Sequence, residues 1–433
     1  MKRTSTLIKN GIVLSLLTST LLHATNGDNM IAVGTKARGM GGTGIAISQG
    51  AESTLSNPAM ITAVEGTEIS FGGILFMPNI QSGFDNAPLS TSDADTNIVP
   101  EVSIVHQINE NWSIGAGMYG TAGMGVDYSN AGQMPATMGG GNVNMHMVTN
   151  LQLLQFAVPV AYKTNGFSIA VAPILQYGNL DINYEGALDA SNMFGPGVMA
   201  DVGSSAGLAQ DFGWGWTVGA SYDFKDAGVE GLTLGAVYKS SIKMTYEHQL
   251  TNAMADFVNF GIFKPGQISD TLEQPEEYGV GVSYTIQGHS IAFDYKKINW
   301  SSAEGYGDFG WEDQDVYAFG YQFAQDNWAV RAGYNYASAA ASEQANGNTN
   351  PQAAALNFFN LLAFPATAEQ HYTMGGTYQL TDAFGIDLAY VYSPENETTY
   401  DISAFKGFGA RNPGSITTTH EENSVSVQLT YNF

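Results

Sequence analysis

Histidine is the side chain best suited to move protons near neutral pH, and this chain of 433 residues has seven. His23 sits in an N-terminal leader. His106, His146, His248, His289, His371 and His420 are scattered, and none forms a recognisable motif with a nearby serine. The chain has no cysteine, which excludes a disulfide scaffold and a thiolate metal site. The run Gly39-Met40-Gly41-Gly42-Thr43-Gly44 has the form of a dinucleotide-binding loop, but no strand precedes it and no parallel unit surrounds it. Asp308, Glu312, Asp313 and Asp315 could ligate a divalent cation, although a solvated loop explains them as well. No enzyme, no cofactor and no metal site is expected from this inventory.

The recognition of apolar matter is the chemistry that remains. Residues 249–263 place Leu250, Met254, Phe257 and Val258 at helical spacing, followed by Phe260 and Phe263; residues 353–364 hold Leu356, Phe358, Phe359 and Leu362. Loops that face water do not expose this much apolar surface without a purpose. Two readings stand: a groove that captures a hydrophobic ligand, or loops that pack on each other to cap the fold. A carboxylate on the ligand would need a cation. Extending the phase of a strand at 231–247 puts Lys239 and Lys243 on its inner face, and Arg331 points inward from another strand. In so acidic a chain these cations also have Asp223, Glu247, Asp294 or Asp387 as partners.

The elements that would position these groups are strands. Lys2, Arg3 and Lys9, then an apolar stretch from Gly11 to Leu22 and a small residue at Ala24, read as a secretory signal over 1–24. The formal net charge is -25, and removal of that basic leader makes it more negative, which excludes a nucleic-acid partner. Charged residues are only 13%, yet beyond the leader no run of 18 or more apolar residues offers a membrane helix. Alternation is the recurring pattern. Val425, Val427, Leu429, Tyr431 and Phe433 alternate with Ser424, Ser426, Gln428, Thr430 and Asn432. Trp214 to Phe224, Tyr278 to Ile286 and Trp328 to Tyr336 repeat it, with glycines and other small residues on the polar face and aromatics at the ends of the apolar one.

About fourteen such strands are expected, near 68–78, 98–108, 112–124, 151–163, 167–184, 214–224, 231–247, 276–286, 290–300, 314–324, 327–337, 369–380, 384–394 and 423–433. Tight turns such as Thr164-Asn165-Gly166 and Gln287-Gly288-His289 alternate with long segments near 79–97, 125–150, 185–213, 248–275, 301–313, 338–368 and 395–422. Short periplasmic turns and long external loops in alternation mark a transmembrane antiparallel β-barrel of the outer membrane. The expected class is therefore all-β, with a signal over 1–24, a Gly-rich N-terminal plug or hatch over 25–67 and the barrel over 68–433.

The mature start, with Asn26-Gly27, Gly34, Lys36-Ala37, Gly39-Met40-Gly41-Gly42 and Asn57-Pro58-Ala59, resembles the FadL-type transporters, which include long-chain fatty acid and aromatic-hydrocarbon (TodX-like) members. Pro275, Gly279, Tyr284, Asp294-Tyr295, Trp300-Ser301, the segment Arg331 to Tyr336 and terminal Phe433 agree, so the resemblance spans the mature chain. It implies a fourteen-stranded barrel closed by a hatch, substrate entry from an external hydrophobic groove, and a kink in the third strand that opens the wall sideways. Asn57, Pro58 and Ala59 would be the hatch motif. Gly115, Gly117, Gly120 and Gly123 fall in the third expected strand, where they either line that opening or are ordinary barrel glycines. The expected function is passive transport of a hydrophobic small molecule by a monomer that contacts outer-membrane lipid and the barrel assembly machinery. A surface adhesion or structural barrel is the alternative.

Overall fold

The computed structural model describes residues 25–129 and 146–433. The expected leader and part of the expected 125–150 loop lie outside the described residues. Fourteen antiparallel strands form the wall: β1 (Thr67–Phe84), β2 (Asn97–Gln107), β3 (Trp112–Asp127), β4 (His146–Ala157, resuming as Val160–Thr164), β5 (Phe167–Asp189), β6 (Ala209–Asp223), β7 (Leu232–Lys239), β8 (Glu277–Ile286), β9 (His289–Ile298), β10 (Gln314–Gln325), β11 (Trp328–Ala337), β12 (Gln370–Gln379), β13 (Phe384–Asp401) and β14 (Ser415–Asn432). Each pairs with its sequence neighbour, and β14 closes the ring on β1 from Ile416↔Phe84 to Asn432↔Glu68. At the seam the Thr67 and Phe433 backbones exchange both N–H···O bonds, at 2.9 and 3.0 Å.

Burial along the strands is inverted relative to a soluble sheet. Ser424, Ser426 and Gln428 of β14 are buried, whereas Val427 is 45% exposed; Trp214 of β6 reaches 71%. Exposed apolar residues opposite buried polar ones mean that the outer face meets lipid and the inner face meets a filled interior. Aromatic pairs such as Trp112–Tyr162 and Trp216–Tyr238, at 4.9 and 5.1 Å, stand on the outer face.

Three strands differ most from the sequence reading. β13 and β14 run past the expected ends, pairing Thr398↔Thr418 and Tyr400↔Ile416 beyond a register shift near Ser393 and Asn396. Threonine suits a pleated ribbon through its β-branch but leaves no apolar alternation to read. β7 stops at Lys239 instead of running to 247. Ile242–Thr245 then pairs with Thr271–Gln274 as a separate ribbon, with Ile242 and Met244 buried.

Segment 25–66 packs against the inner faces of the strands. It consists of short turns, including Thr35–Arg38, Ser53–Ser56 and Pro58–Ala63. The wall meets it with glycine: a Cβ on Gly235 would lie 2.0 Å from the Ile45 carbonyl, on Gly333 2.1 Å from the Gly41 nitrogen, and on Gly219 1.9 Å from Asn57 Oδ1. The small residues on the polar faces thus admit a second backbone. At the long-loop end lie two helices, α1 (Leu250–Asn259) and α2 (Pro351–Leu362), in one buried apolar cluster with Trp300, Tyr306, Phe309 and Trp311. Phe359 anchors it, edge-on to Phe257 at 5.5 Å and to Tyr184 at 5.7 Å.

Candidate functional site

The wall is interrupted between β2 and β3. From Gln107↔Ser113 to Glu101↔Tyr119 the two strands pair regularly; beyond that, residues 97–100 of β2 pair only with β1. β3 continues along β4 with a register shift between Gly120 and Ala122 that leaves Thr121 as the extra residue of a bulge. Glycine permits the bend, and a Cβ on Gly120 would fall 2.2 Å from Val99 Cγ1. The departing strand finds a new partner inside. Gly123 N–H donates to the Asp28 carbonyl at 3.0 Å, and Asn29 pairs with Ala122.

A cavity of about 500 Å³ lies at this interruption. Its outer side is Phe76, Ile98 and Leu154; its inner side is Thr25, Gly27 and Met30; Gly120 and Gly123 form the edge between them. Ile98, 81% exposed, shows that the cavity reaches the lipid-facing surface. The deep end is polar. The Glu422 carboxylate accepts from the Thr25 hydroxyl and lies 3.1 Å from His420 Nε2 and 3.9 Å from His371 Nε2. No lysine or arginine lines the cavity among the described residues.

Polar contacts hold the N-terminal segment in place. Gly44 and Ile45 N–H donate to Asp294 Oδ2 at 2.7 and 2.9 Å, Gly34 N–H to Glu101 at 2.9 Å, and Ala51 N–H to Glu68 at 2.8 Å. Lys36 stands within 3.6 to 3.9 Å of Glu52, Glu68 and Asp387. Burial opposes its charge, but these three carboxylates hold its ammonium above the ordinary lysine range. Arg38, fully buried, reaches Ser424 and Ser426. Asp28 links the segment to the long-loop end: its carboxylate accepts from Tyr306 OH and from Gln274 Nε2, the latter at 2.9 Å. Burial raises its pKa to about 6, against the lowering effect of those two bonds.

The residues singled out from sequence fall into distinct places. Asn57 is buried against β6, donating to the Ile45 and Ala220 carbonyls at 2.6 and 3.2 Å and accepting from Ala59 N–H at 3.1 Å. It caps the turn that Pro58 begins. Gly120 and Gly123 border the cavity, whereas Gly115 and Gly117 lie in the regularly paired part of β3 and face Thr54. In place of an open groove, Leu250, Met254, Phe257, Phe263, Leu356, Phe358, Phe359 and Leu362 are buried in the cap, with Val258 and Phe260 half-buried against it, and none of the ten lines the cavity. The aromatic surface on both helices is satisfied by mutual packing.

Lys239 pairs with Glu277 at 3.1 Å, and Arg331 with Asp387 at 3.8 Å and Thr377 at 2.7 Å. Lys243 leaves the inner face because β7 has already ended; it is exposed and bound to Glu304 at 2.9 Å. Three of the four acidic residues are held in local hydrogen bonds: Asp313 accepts from Ser301, Asp308 from Gly305 N–H and Asp315 from Tyr295 OH. Asp28, Arg38, Lys296 and Glu422 were not singled out. Lys296 and Glu422 are the only two of these on strands, and Glu422 fell in a stretch read as loop, so its inward phase was not assigned.

A family model described as Outer membrane protein transport protein (OMPP1/FadL/TodX) matches residues 24–433. Outer membrane protein P1 of Haemophilus influenzae is 22% identical over 484 residues, covering 97% of this chain and 99% of that one. A Long-chain fatty acid transport protein of Escherichia coli is 24% identical over 332 residues, covering 67% of this chain and 72% of that one. The solved toluene transporter TodX of Pseudomonas putida shares the fold with a TM-score of 0.67 at 17% identity, covering 94% of this chain and 99% of that one.

Proposed function

Because this chain belongs to the OMPP1/FadL/TodX family of outer membrane protein transport proteins, we propose that it moves hydrophobic small molecules passively and releases them sideways through the interruption between β2 and β3. As a β-barrel of that family it resides in the outer membrane. The observation that carries the sideways route is the cavity of about 500 Å³ that begins against the N-terminal segment and reaches the lipid face at Ile98. A physical argument favours it. An apolar molecule that left through a water-filled lumen would regain hydration over its whole surface at about 25 cal/mol per Å². For several hundred Å² that cost reaches several kcal/mol, and exit into lipid avoids most of it. The segment 25–66 acts as the hatch, with Asn57, Pro58 and Ala59 fastening it to the wall, and α1 and α2 form the cap over the entry.

Gly123 offers the test. A Cβ there meets only the Leu151 carbonyl, at 3.2 Å, and otherwise points into open space. Gly123→Trp fills the exit, with the Leu151 carbonyl giving way by a few tenths of an ångström. Cells carrying the variant should take up a radiolabelled long-chain hydrophobic substrate several-fold more slowly, while Gly123→Ala stays near the wild-type rate and both barrels keep their heat-modifiable mobility. Wild-type uptake by the Trp variant at equal surface abundance would remove the sideways exit from the proposal.

A further inference from the structure

The charged groups on the lining of the cavity between β2 and β3 have one sign. Asp127 stands at the external end of β3, and Glu422 of β14 at the inner end. No lysine or arginine faces them there among the described residues. Ala94, also on the lining, sits between Asp93 and Asp95, both exposed. The net charge of -25 adds to that field, which draws cations and repels anions.

The inner end also has acceptors without donors. Glu422 is 1% exposed, and its Oε1 is engaged by the Thr25 hydroxyl and by His420 Nε2 at 3.1 Å. Its Oε2 accepts no hydrogen bond, because His371 Nε2 at 3.9 Å is too far for one. Asn179 Oδ1, on the same lining and buried, has no donor either. A buried acceptor left unmet is costly unless a donor is brought to it. Arg38 does not supply one: its guanidinium reaches Ser424, Ser426 and the Ala32 carbonyl, and it lies outside the lining.

We propose that this cavity selects hydrophobic molecules that carry a protonated amine. The ammonium N–H groups donate to Glu422 Oε2, and the alkyl chain lies along Phe76, Ile98 and Leu154 toward the lipid face. The proposal rests on the hydrophobic-transport reading above and names the substrate class within it. Three headgroups can be compared on the same lining. A carboxylate would meet Asp127 and Glu422 as like charges with no cation between them. A neutral chain would fill the apolar part and leave Glu422 Oε2 unmet. An ammonium fills the apolar part and satisfies that oxygen in a charge-assisted bond. The volume of about 500 Å³ falls within the range of about 300–1,000 Å³ usual for small-molecule sites.

The test uses the full-length protein purified in a non-ionic detergent at pH 7, with dodecylammonium, dodecanol and dodecanoate as probes of one chain length. Wild-type protein should bind the ammonium at least about tenfold more tightly than the alcohol, and the carboxylate more weakly than either. Glu422→Gln removes the charge at constant size and should bring the ammonium down to the alcohol's affinity. The wild-type comparison decides by itself if that variant fails to fold, as judged by heat-modifiable mobility. Equal binding of the three probes by the wild type, or a preference for dodecanoate, overturns the amine selectivity but leaves hydrophobic transport standing. A folded Glu422→Gln variant that keeps the ammonium preference, or that weakens all three probes alike, also overturns it. Failure to bind any of the three overturns both the selectivity and the transport reading.

Discussion

Replacing Asn57 with alanine should undock the N-terminal segment without opening the barrel. Three contacts disappear together: donation to the Ile45 and Ala220 carbonyls at 2.6 and 3.2 Å, and acceptance from Ala59 N–H at 3.1 Å. Each buried group left without a partner costs about 1–3 kcal/mol. Ala220 belongs to a paired strand, and Ala59 can reach water once the turn loosens, so the full sum does not apply. A net loss of about 3 kcal/mol is reasonable, which raises the undocked population by roughly two orders of magnitude at 1.4 kcal/mol per tenfold. The wall keeps its ladder and its lipid-facing surface. Hydrogen exchange read by mass spectrometry should therefore show protection falling across 44–63 and staying constant in β9 to β14, with heat-modifiable mobility unchanged and uptake of a hydrophobic substrate altered. Gly219→Ala pushes on the same contact from the barrel side and should give the same exchange pattern. Unchanged protection over 44–63 in Asn57→Ala would refute the reasoning, because three buried contacts cannot vanish at no cost.

Two further outcomes follow from the geometry. The chain has no cysteine, and a Cβ on Gly120 would lie 3.5 Å from Val99 Cβ, within disulfide range, so the double variant Val99→Cys/Gly120→Cys should lock β3 to β2 under oxidation. Uptake should slow on oxidation and recover with dithiothreitol; equal rates in both states would mean that the interruption need not widen. Asp28 supplies a pH dependence. Its docked pKa of about 6 lies above the free value of 3.8, so its contribution to docking is complete below pH 4 and is lost as pH rises through 6. Between pH 8 and 5 the gain is about 1.4 kcal/mol, a tenfold rise in protection of residues 25–30 after correction for intrinsic exchange. The titratable groups that face Asp28 itself are Tyr306 and Tyr246, whose pKa burial raises; Glu422, with His420 and His371 beside it, meets the segment at Thr25, and the Asp28→Asn comparison separates the two. Asp28→Asn should abolish the pH effect, and a pH-independent wild type would show that Asp28 is not held by burial.

The barrel was legible because lipid on one side and a packed interior on the other impose a strict two-residue period, as in Val425 to Phe433. The ends of β13 and β14 were not, since Thr417, Thr418 and Thr419 present the same side chain to both faces. The inner site was half legible. Asn57-Pro58-Ala59 and the third-strand glycines stood out as motifs, and Gly120 and Gly123 do border the cavity. Asp28 and Glu422 did not, because their partners lie far along the chain: Asp28 meets Gln274 and Tyr306, and Thr25 meets Glu422. The apolar loops were read for their surface, yet α1 and α2 use that surface on each other, which no local pattern separates from a groove.

The cap and the N-terminal segment are held by different forces, and temperature separates them. The cap is an aromatic and aliphatic cluster around Phe359, whose cohesion near room temperature is mainly entropic and weakens on cooling. The segment is held through carboxylates, amides and backbone N–H groups set against glycine, a docking with a large enthalpic share that heat loosens. On the proposed route, two closures in series with opposite thermal responses predict a leak with a minimum at an intermediate temperature, which uptake measured against temperature would read.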